Sequence, residues 1–142
     1  MKIKINRIRV KNFRSLSSVE TTLGEVTLLL GANNSGKTSF LRALTIALTS
    51  DRKFISRDDL FINKAGKYPA DPRVEVDVEI KPERNPTFSD EWAQVFGSDI
   101  QIDPKGEEFF AYRTVVDFSA QQSEAQIKRY IIKDWDSGNA DE

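Results

Sequence analysis

The sequence contains neither cysteine nor histidine. The absence of cysteine excludes disulfides and thiolate metal sites. The absence of histidine removes the commonest general base and every catalytic triad that requires an imidazole. Any chemistry carried out by this chain must therefore use carboxylates, lysine, backbone amides or a bound metal ion.

Long apolar runs are also missing. The longest extends from Val26 to Ala32, whereas a helix that crosses a bilayer needs about 20 residues. The N-terminal segment alternates lysine with isoleucine and lacks the continuous apolar stretch of a secretion signal. We therefore expect a cytoplasmic protein with no membrane partner.

The charge of the chain is nearly balanced but unevenly distributed. Its 142 residues carry 21 basic and 22 acidic groups, and 39% are hydrophobic, which is ordinary for one globular domain. Residues 1–14 contain no acid and six basic residues, namely Lys2, Lys4, Arg7, Arg9, Lys11 and Arg14. Such a segment either faces phosphate groups or forms the solvated face of a strand, and both interpretations stay open.

A complete phosphate-binding motif of the form G-x-x-x-x-G-K-[ST] follows the apolar run. Its residues are Gly31, Ala32, Asn33, Asn34, Ser35, Gly36, Lys37 and Thr38. The stretch Val26–Leu30 predicts a buried parallel strand before the motif, and apolar residues at helical spacing predict a helix from about Lys37 to Thr49. A chance glycine-rich turn is the alternative, but a full motif between a strand and a helix indicates a P-loop.

The motif predicts how a nucleoside triphosphate and magnesium would bind. The two glycines let successive backbone N–H groups point into one concavity, and the helix N-terminus adds partial positive charge. Lys37 would contact the β- and γ-phosphates, and the Thr38 hydroxyl would ligate Mg²⁺. The sequence therefore predicts a nucleoside triphosphate site that uses magnesium.

The remainder of the chain is rich in predicted strands. Alternating apolar residues predict strands at 3–10, 19–23, 73–81 and 109–118. In the first of these the parity of the apolar positions changes at Asn6-Arg7, which predicts either a bulge there or a strand covered on both faces. In the strand at 73–81 the acidic positions are interpreted as a solvated face, namely Glu75, Asp77 and Glu79.

The C-terminal part is less regular. Residues 127–135 fit a strand or a helix, and their β-branched side chains favour a strand. The acidic, polar tail after Asp134 is predicted to add no packing element. We therefore divide the chain into a lobe at 1–133 and a tail or truncation point at 134–142.

Hydrolysis of a bound triphosphate requires a second carboxylate on magnesium and a group that orients water. Asp117 is the nearest candidate, but Arg113 and Thr114 before it are too polar for a central parallel strand. Asp77 lies in an alternating strand and is expected to face solvent. The sequence therefore shows the binding half of such a site without a clear hydrolytic half.

Two stretches resemble a known family. Ile-x-Val-x-Asn-Phe-Arg-Ser-Leu at 8–16 and Leu-Leu-Leu-Gly-Ala-Asn-Asn-Ser-Gly-Lys-Thr-Ser at 28–39 resemble the N-terminus of ABC-type ATPase heads. These heads belong to the SMC chromosome proteins, the RecF recombination protein and the OLD (overcoming lysogenization defect) nucleases. The Asn-Asn-Ser-Gly-Lys-Thr version is most similar to the OLD group and related AAA-type bacterial ATPases of phage defence.

The resemblance implies an α/β fold: the N-terminal lobe of a P-loop NTPase with a parallel core strand, a P-loop helix and a flanking antiparallel β-lobe at 73–81 and 107–118. It implies ATP as the nucleotide, with Ser39 supporting the loop and Arg14 lying near the phosphates. It also implies a Q-loop glutamine after the β-lobe. The available residues are Gln121, Gln122 and Gln126, without a motif that decides between them.

Three motifs of that family are not found in the sequence: the Ser-Gly-Gly signature, the Walker B Asp-Glu pair and the switch histidine. The expected protein is therefore the N-terminal part of an ATPase whose ATP lies between two heads. Head closure would control DNA processing in repair or phage defence, including a nuclease reaction. The expected partners are ATP, the C-terminal half of the same ATPase or a second head, and DNA.

Two alternatives stay open. One is a complete small P-loop NTPase or kinase with Asp117 as the magnesium acid. The other is a DNA-binding or assembly module without catalysis.

Overall fold

A computed structural model describes residues 2–14, 16–22, 34–49, 59–60, 66, 72–118 and 126–141. Across these ranges the strands are β1 (Ile3–Phe13), β2 (Leu16–Thr22), β3 (Arg73–Pro82), β4 (Gln101–Ile102), β5 (Glu108–Asp117), β6 (Gln126–Asp134) and β7 (Asn139–Asp141). The helices are α1 (Asn34–Leu48) and α2 (Asp90–Phe96), and a 3₁₀ turn follows at Gly97–Asp99. Neither described helix has the length and apolar character of a membrane span.

The strands form one sheet in the order β2-β1-β3-β5-β6-β7, with β4 added beside β5. All strand pairs within the described ranges are antiparallel. The predicted strands at 73–81 and 109–118 are thus confirmed as an antiparallel pair, β3 and β5. The predicted parallel core strand, Val26–Leu30, lies outside the described residues.

Of the two alternatives predicted for β1, the bulge is confirmed. The register between β1 and β3 shifts between Ile5 and Arg7. One extra residue at this point returns apolar side chains to the same face of the sheet after the parity change. As a result Ile3 and Ile5 lie on the same side as the buried Ile8 and Val10.

Helix α1 covers one face of the sheet. The apolar positions of β3 meet the apolar stripe of α1, and the buried residues of this layer include Phe40, Ala43, Ala47, Val74, Val76 and Val78. Alternation along β3 places these valines on one side and the intervening acids on the other. The strand therefore has a dry face toward α1 and a charged face opposite.

The interpretation of that charged face as solvated is wrong. Asp77 is 3% exposed and Glu79 is 1% exposed, although Glu75 stays half-buried. Strands on both sides of β3 supply arginine side chains to these carboxylates. Alternation of apolar and polar residues shows which side chains share a face of a strand. Whether that face is exposed to water depends on the side chains of the neighbouring strands.

Two expectations for the C-terminus have different outcomes. Residues 126–134 form β6, so the strand favoured there is confirmed. The expectation that the chain after Asp134 adds no packing element is wrong, because Trp135 is 3% exposed and β7 pairs with β6. A turn at 135–138 folds this indole onto the charged face, where it forms a small second core with Phe109, Ala111 and Ile132.

Candidate functional site

Helix α1 begins inside the P-loop motif. Its first residue is Asn34, three positions before the start predicted from apolar spacing, and it extends for 15 residues. The motif residues Gly31, Ala32 and Asn33 lie outside the described residues, as do the side chains of Asn34, Ser35, Lys37 and Thr38. The backbone of the last five motif residues therefore forms the first turn of a helix, the segment whose N–H groups have no intrahelical acceptor.

Apolar packing holds the helix that contains this first turn against the sheet. Ser39 and Phe40 are buried directly after the motif, and Ala43 and Ala47 continue the buried stripe. Since alanine side chains are small, the backbone of α1 can approach the sheet closely and pack against β3. The family-implied role of Ser39 in supporting the loop is compatible with its burial and stays a prediction.

Arg14 lies in an unusual turn that ends β1. Asn12 and Arg14 have φ values of 59° and 51°, a left-handed conformation that non-glycine residues seldom adopt. The Arg14 backbone N–H donates to the Asp59 carbonyl at 2.6 Å, and its Nε donates to the Asp59 carboxylate at 2.9 Å. Phe13 is buried beside this pair, and its backbone forms an isolated antiparallel β-bridge with Leu60.

The ion pair with Asp59 orients the Arg14 side chain. A guanidinium has five N–H donors, and a contact through Nε leaves the distal end of the fork for a further acceptor. Whether Arg14 lies near the nucleotide phosphates stays a prediction. No local sequence pattern marks Asp59 as a partner of Arg14, because the two residues are 45 positions apart.

The basic N-terminal segment divides into two sets. Its arginines are engaged in internal ion pairs, which join Arg7 to Glu79, Arg9 to Asp77 and Arg14 to Asp59. Its lysines are exposed, namely Lys2, Lys4 and Lys11. The segment is therefore neither a purely solvated face nor a continuous basic surface for phosphates.

Asp77 is the centre of the buried ionic network. One carboxylate oxygen accepts from Arg9 Nε at 2.9 Å and from Arg113 Nη2 at 3.1 Å, and the other accepts from Arg113 Nε at 2.8 Å. The two arginines come from β1 and β5, on either side of β3. This carboxylate thus joins three adjacent strands.

Trp135 covers the same network from the turn after β6. Its ring centroid lies 3.8 Å from the Arg9 guanidinium carbon, and its carbonyl accepts a hydrogen bond from Arg9 Nη1. The indole Nε1 donates to Glu20 on β2 at 2.6 Å. Stacking on an aromatic face is favourable for a guanidinium, so the indole both shields the ion pairs and connects the end of the chain to its first hairpin.

Glu79 forms the second carboxylate site of the network. It accepts from Arg7 at 2.9 and 2.7 Å and from Asn6 at 2.7 Å. Burial raises the pKa of this carboxyl, but hydrogen bonds from Arg7 and Asn6 outweigh it, so the net pKa of Glu79 is lowered. The ionised form is therefore the one that the fold stabilises.

We expect stability to fall on acidification because of Glu79. Its folded pKa lies below its unfolded value, so its contribution is complete above the unfolded pKa of about 4.3 and is lost as pH falls through the folded pKa. Urea unfolding between pH 7 and pH 3 should show this loss, and Glu79→Gln should flatten the profile. A Glu79→Gln profile with the same slope as wild type would contradict the assignment.

The residues discussed for hydrolysis are not brought together. Within the described ranges no group of three or more acidic residues could hold a metal ion. Asp117 ends β5, which is antiparallel to both β3 and β6, and it lies opposite Arg73 and Gln126. Gln126 is exposed at the start of β6, and the other two candidate glutamines lie outside the described residues.

Comparison with known proteins decides the class of the chain. A family model described as an AAA ATPase domain matches residues 1–135. The chain belongs to this AAA ATPase domain family. Its P-loop NTPase class and its capacity for nucleotide binding follow from that membership, and the resemblance to AAA-type and OLD-type ATPases is confirmed.

The AAA ATPase domain is also similar to a curated relative. An OLD nuclease of Thermus scotoductus is 43% identical over 44 residues, which are 31% of this chain and 8% of the relative. The chain thus spans a small part of the relative it matches. The match supports an ATPase of the OLD and AAA class.

Proposed function

We propose that this AAA ATPase domain binds ATP with Mg²⁺ through Gly31 to Thr38. The observation that carries the proposal is the start of α1 within the motif, in a chain that matches the family over residues 1–135. The N-terminal turn of a helix offers unpaired N–H donors and partial positive charge, which suit phosphate oxygens. The residues present therefore fit a triphosphate at this place.

Each motif residue has a separate role in the proposal. The backbone from Gly31 to Gly36 cradles the phosphates, and Lys37 neutralises the β- and γ-phosphates. The Thr38 hydroxyl ligates Mg²⁺, which when bound neutralises charge that develops at the γ-phosphate. Ser39 supports the loop, and Arg14 approaches the phosphates from the turn after β1.

At the level of the whole protein, we propose an N-terminal lobe of an OLD-like ATPase. Residues 1–133 would form an incomplete nucleotide-binding domain, completed by a C-terminal half or by a second head that supplies the Walker B acid and the signature motif. The similarity to an OLD nuclease supports DNA processing as the controlled activity, in repair or phage defence. The antiparallel β3–β5 pair would be the lobe that flanks the nucleotide.

The test is binding of a fluorescent ATP analogue by this chain with Mg²⁺ and with EDTA. Because the metal neutralises phosphate charge, we expect its removal to weaken binding at least about tenfold, a change of about 1.4 kcal/mol. Tripolyphosphate should compete and adenosine alone should compete poorly, since the motif recognises phosphates. Binding of adenosine equal to that of ATP would contradict a phosphate-directed site.

Turnover by the same chain provides a second measurement. We expect bound ATP to remain uncleaved, because the described residues bring together no carboxylate group for magnesium. Magnesium-dependent hydrolysis by the purified chain would contradict the incomplete-domain proposal. Asp117→Asn would then show whether that residue is the magnesium acid.

A further inference from the structure

The C-terminal end of α1 is held by side chains from the sheet. The last turn of an α-helix leaves backbone carbonyls without intrahelical donors. The last turn of α1 contains no basic residue of its own. The donors come instead from Tyr112 on β5 and Arg129 on β6, strands that pair with each other.

Three hydrogen bonds form this anchor. Arg129 Nη2 donates to the carbonyls of Thr49 at 2.6 Å and Ile46 at 3.3 Å. The Tyr112 hydroxyl donates to the carbonyl of Ala47 at 2.7 Å. The Tyr112 hydroxyl is protonated at neutral pH and can donate, and burial raises its pKa further. The cation of Arg129 also lies at the negative end of the helix dipole, where it is favourable.

These directional contacts add to the apolar packing of α1. The contacts of α1 with β3 hold the helix against the sheet and depend little on exact direction, whereas hydrogen bonds depend on donor geometry. Beside the anchor lies an open cleft of about 330 Å³ lined in part by Leu48, Phe110 and Ile131. Among the described residues, side chains do not close around the helix end there, so we expect the hydrogen bonds to contribute to the axial position of α1.

A helix transmits that position to its other end. Over 15 residues α1 is about 22 Å long, and it rises about 1.5 Å per residue. Its first turn contains the last five residues of the P-loop motif, so an axial shift at Thr49 displaces their backbone N–H groups by the same distance. Displacements of about 1 Å weaken hydrogen bonds that depend on donor geometry.

We propose that Arg129 and Tyr112 are positioning residues for the phosphate loop, acting through the axis of α1. The inference rests on the proposed ATP binding at Gly31 to Thr38. Nucleotide affinity and docking of the helix end on β5 and β6 are then coupled, and by linkage bound nucleotide tightens the anchor.

The variants that test the anchor are Arg129→Gln, Arg129→Lys and Tyr112→Phe, with Lys128→Gln as the matched control. Lys128 is exposed and precedes Arg129 in β6, so it points to the opposite face of the sheet. The Kd for Mg-ATP is measured in the intact protein, well below the melting temperature of each variant. We expect Arg129→Gln and Tyr112→Phe each to raise the Kd about fivefold, the effect of one hydrogen bond.

Rescue by the conservative variant separates positioning from general destabilisation. Arg129→Lys retains the charge at the helix end and should recover part of the affinity, and Lys128→Gln should leave the Kd unchanged. Values for Arg129→Gln and Tyr112→Phe within about twofold of wild type, in folded protein, would overturn the anchor. Tyr112→Phe removes only a hydroxyl and decides the question if Arg129→Gln does not fold.

Amide hydrogen exchange distinguishes failure of the anchor from failure of the proposed function. We expect faster exchange at residues 38–46, whose amides have intrahelical acceptors, in Arg129→Gln than in Lys128→Gln, with or without nucleotide. If wild type binds no ATP, the proposed function fails, and the exchange rates alone judge the anchor. Unchanged exchange at 38–46 would overturn it in either case.

Discussion

Replacing Lys37 by alanine is expected to weaken Mg-ATP binding about 100-fold, or about 3 kcal/mol. In the proposed site this ammonium group lies against the β- and γ-phosphates, and no other residue of the motif carries a positive charge. Removal of one partner of a close charge pair costs more than the pair contributes, because the phosphate charge is left without compensation. The backbone of the first turn of α1 would remain to bind the phosphates weakly.

Lys11→Ala is the matched control for this experiment. It removes the same charge from an exposed position of β1 and should change the Kd little beyond a small salt-dependent effect. Isothermal titration at fixed ionic strength compares the two variants directly. Equal losses of affinity would show that overall charge, and not the loop lysine, governs nucleotide binding.

Replacing Asp77 by alanine is expected to lower the free energy of unfolding by about 3–5 kcal/mol. The carboxylate is 3% exposed and accepts three hydrogen bonds from Arg9 and Arg113. Without the Asp77 carboxylate, the guanidinium groups of Arg9 and Arg113 lie side by side, half-buried, and the negative charge between them is gone. Since small domains are stable by about 5–15 kcal/mol, much of the stability would be lost.

Glu75→Ala provides the control on the same face of β3. Its side chain is 21% exposed and lies 3.8 Å from Arg113, so its removal should cost no more than about 1 kcal/mol. Asp77→Asn keeps one acceptor oxygen and should fall between the two alanine variants. Urea unfolding monitored by circular dichroism measures all three, and equal midpoints for Asp77→Ala and Glu75→Ala would refute the central role of Asp77.

The N-terminal strand shows what the alternation of apolar residues along a sequence can predict. Because successive residues of a strand point to opposite faces, the parity change at Asn6-Arg7 predicted a bulge or a strand covered on both faces, and the register shift between Ile5 and Arg7 identifies the bulge. The pattern also predicted β3, β5 and β6. It could not show that the arginines of β1 and β5 converge on the acids of β3, since that depends on strand order and register.

The partners of the charged side chains are far apart along the chain. Arg9 and Asp77 are 68 positions apart, and Trp135 and Glu20 are 115 positions apart. Periodicity compares residues only within one element, so it contains no information on such pairs. The prediction of a solvated acidic face failed for this reason, as did the expectation of a tail without packing.

The sequence by itself predicted the phosphate loop and the class of the protein, because Gly31, Gly36, Lys37 and Thr38 form one motif within a short segment, and the family membership confirms the class. The tertiary structure decided which charges are buried, how Trp135 covers them and what holds the far end of α1. These features arise where antiparallel strands bring distant residues into contact, and only the folded sheet places Arg129 and Tyr112 at the helix end.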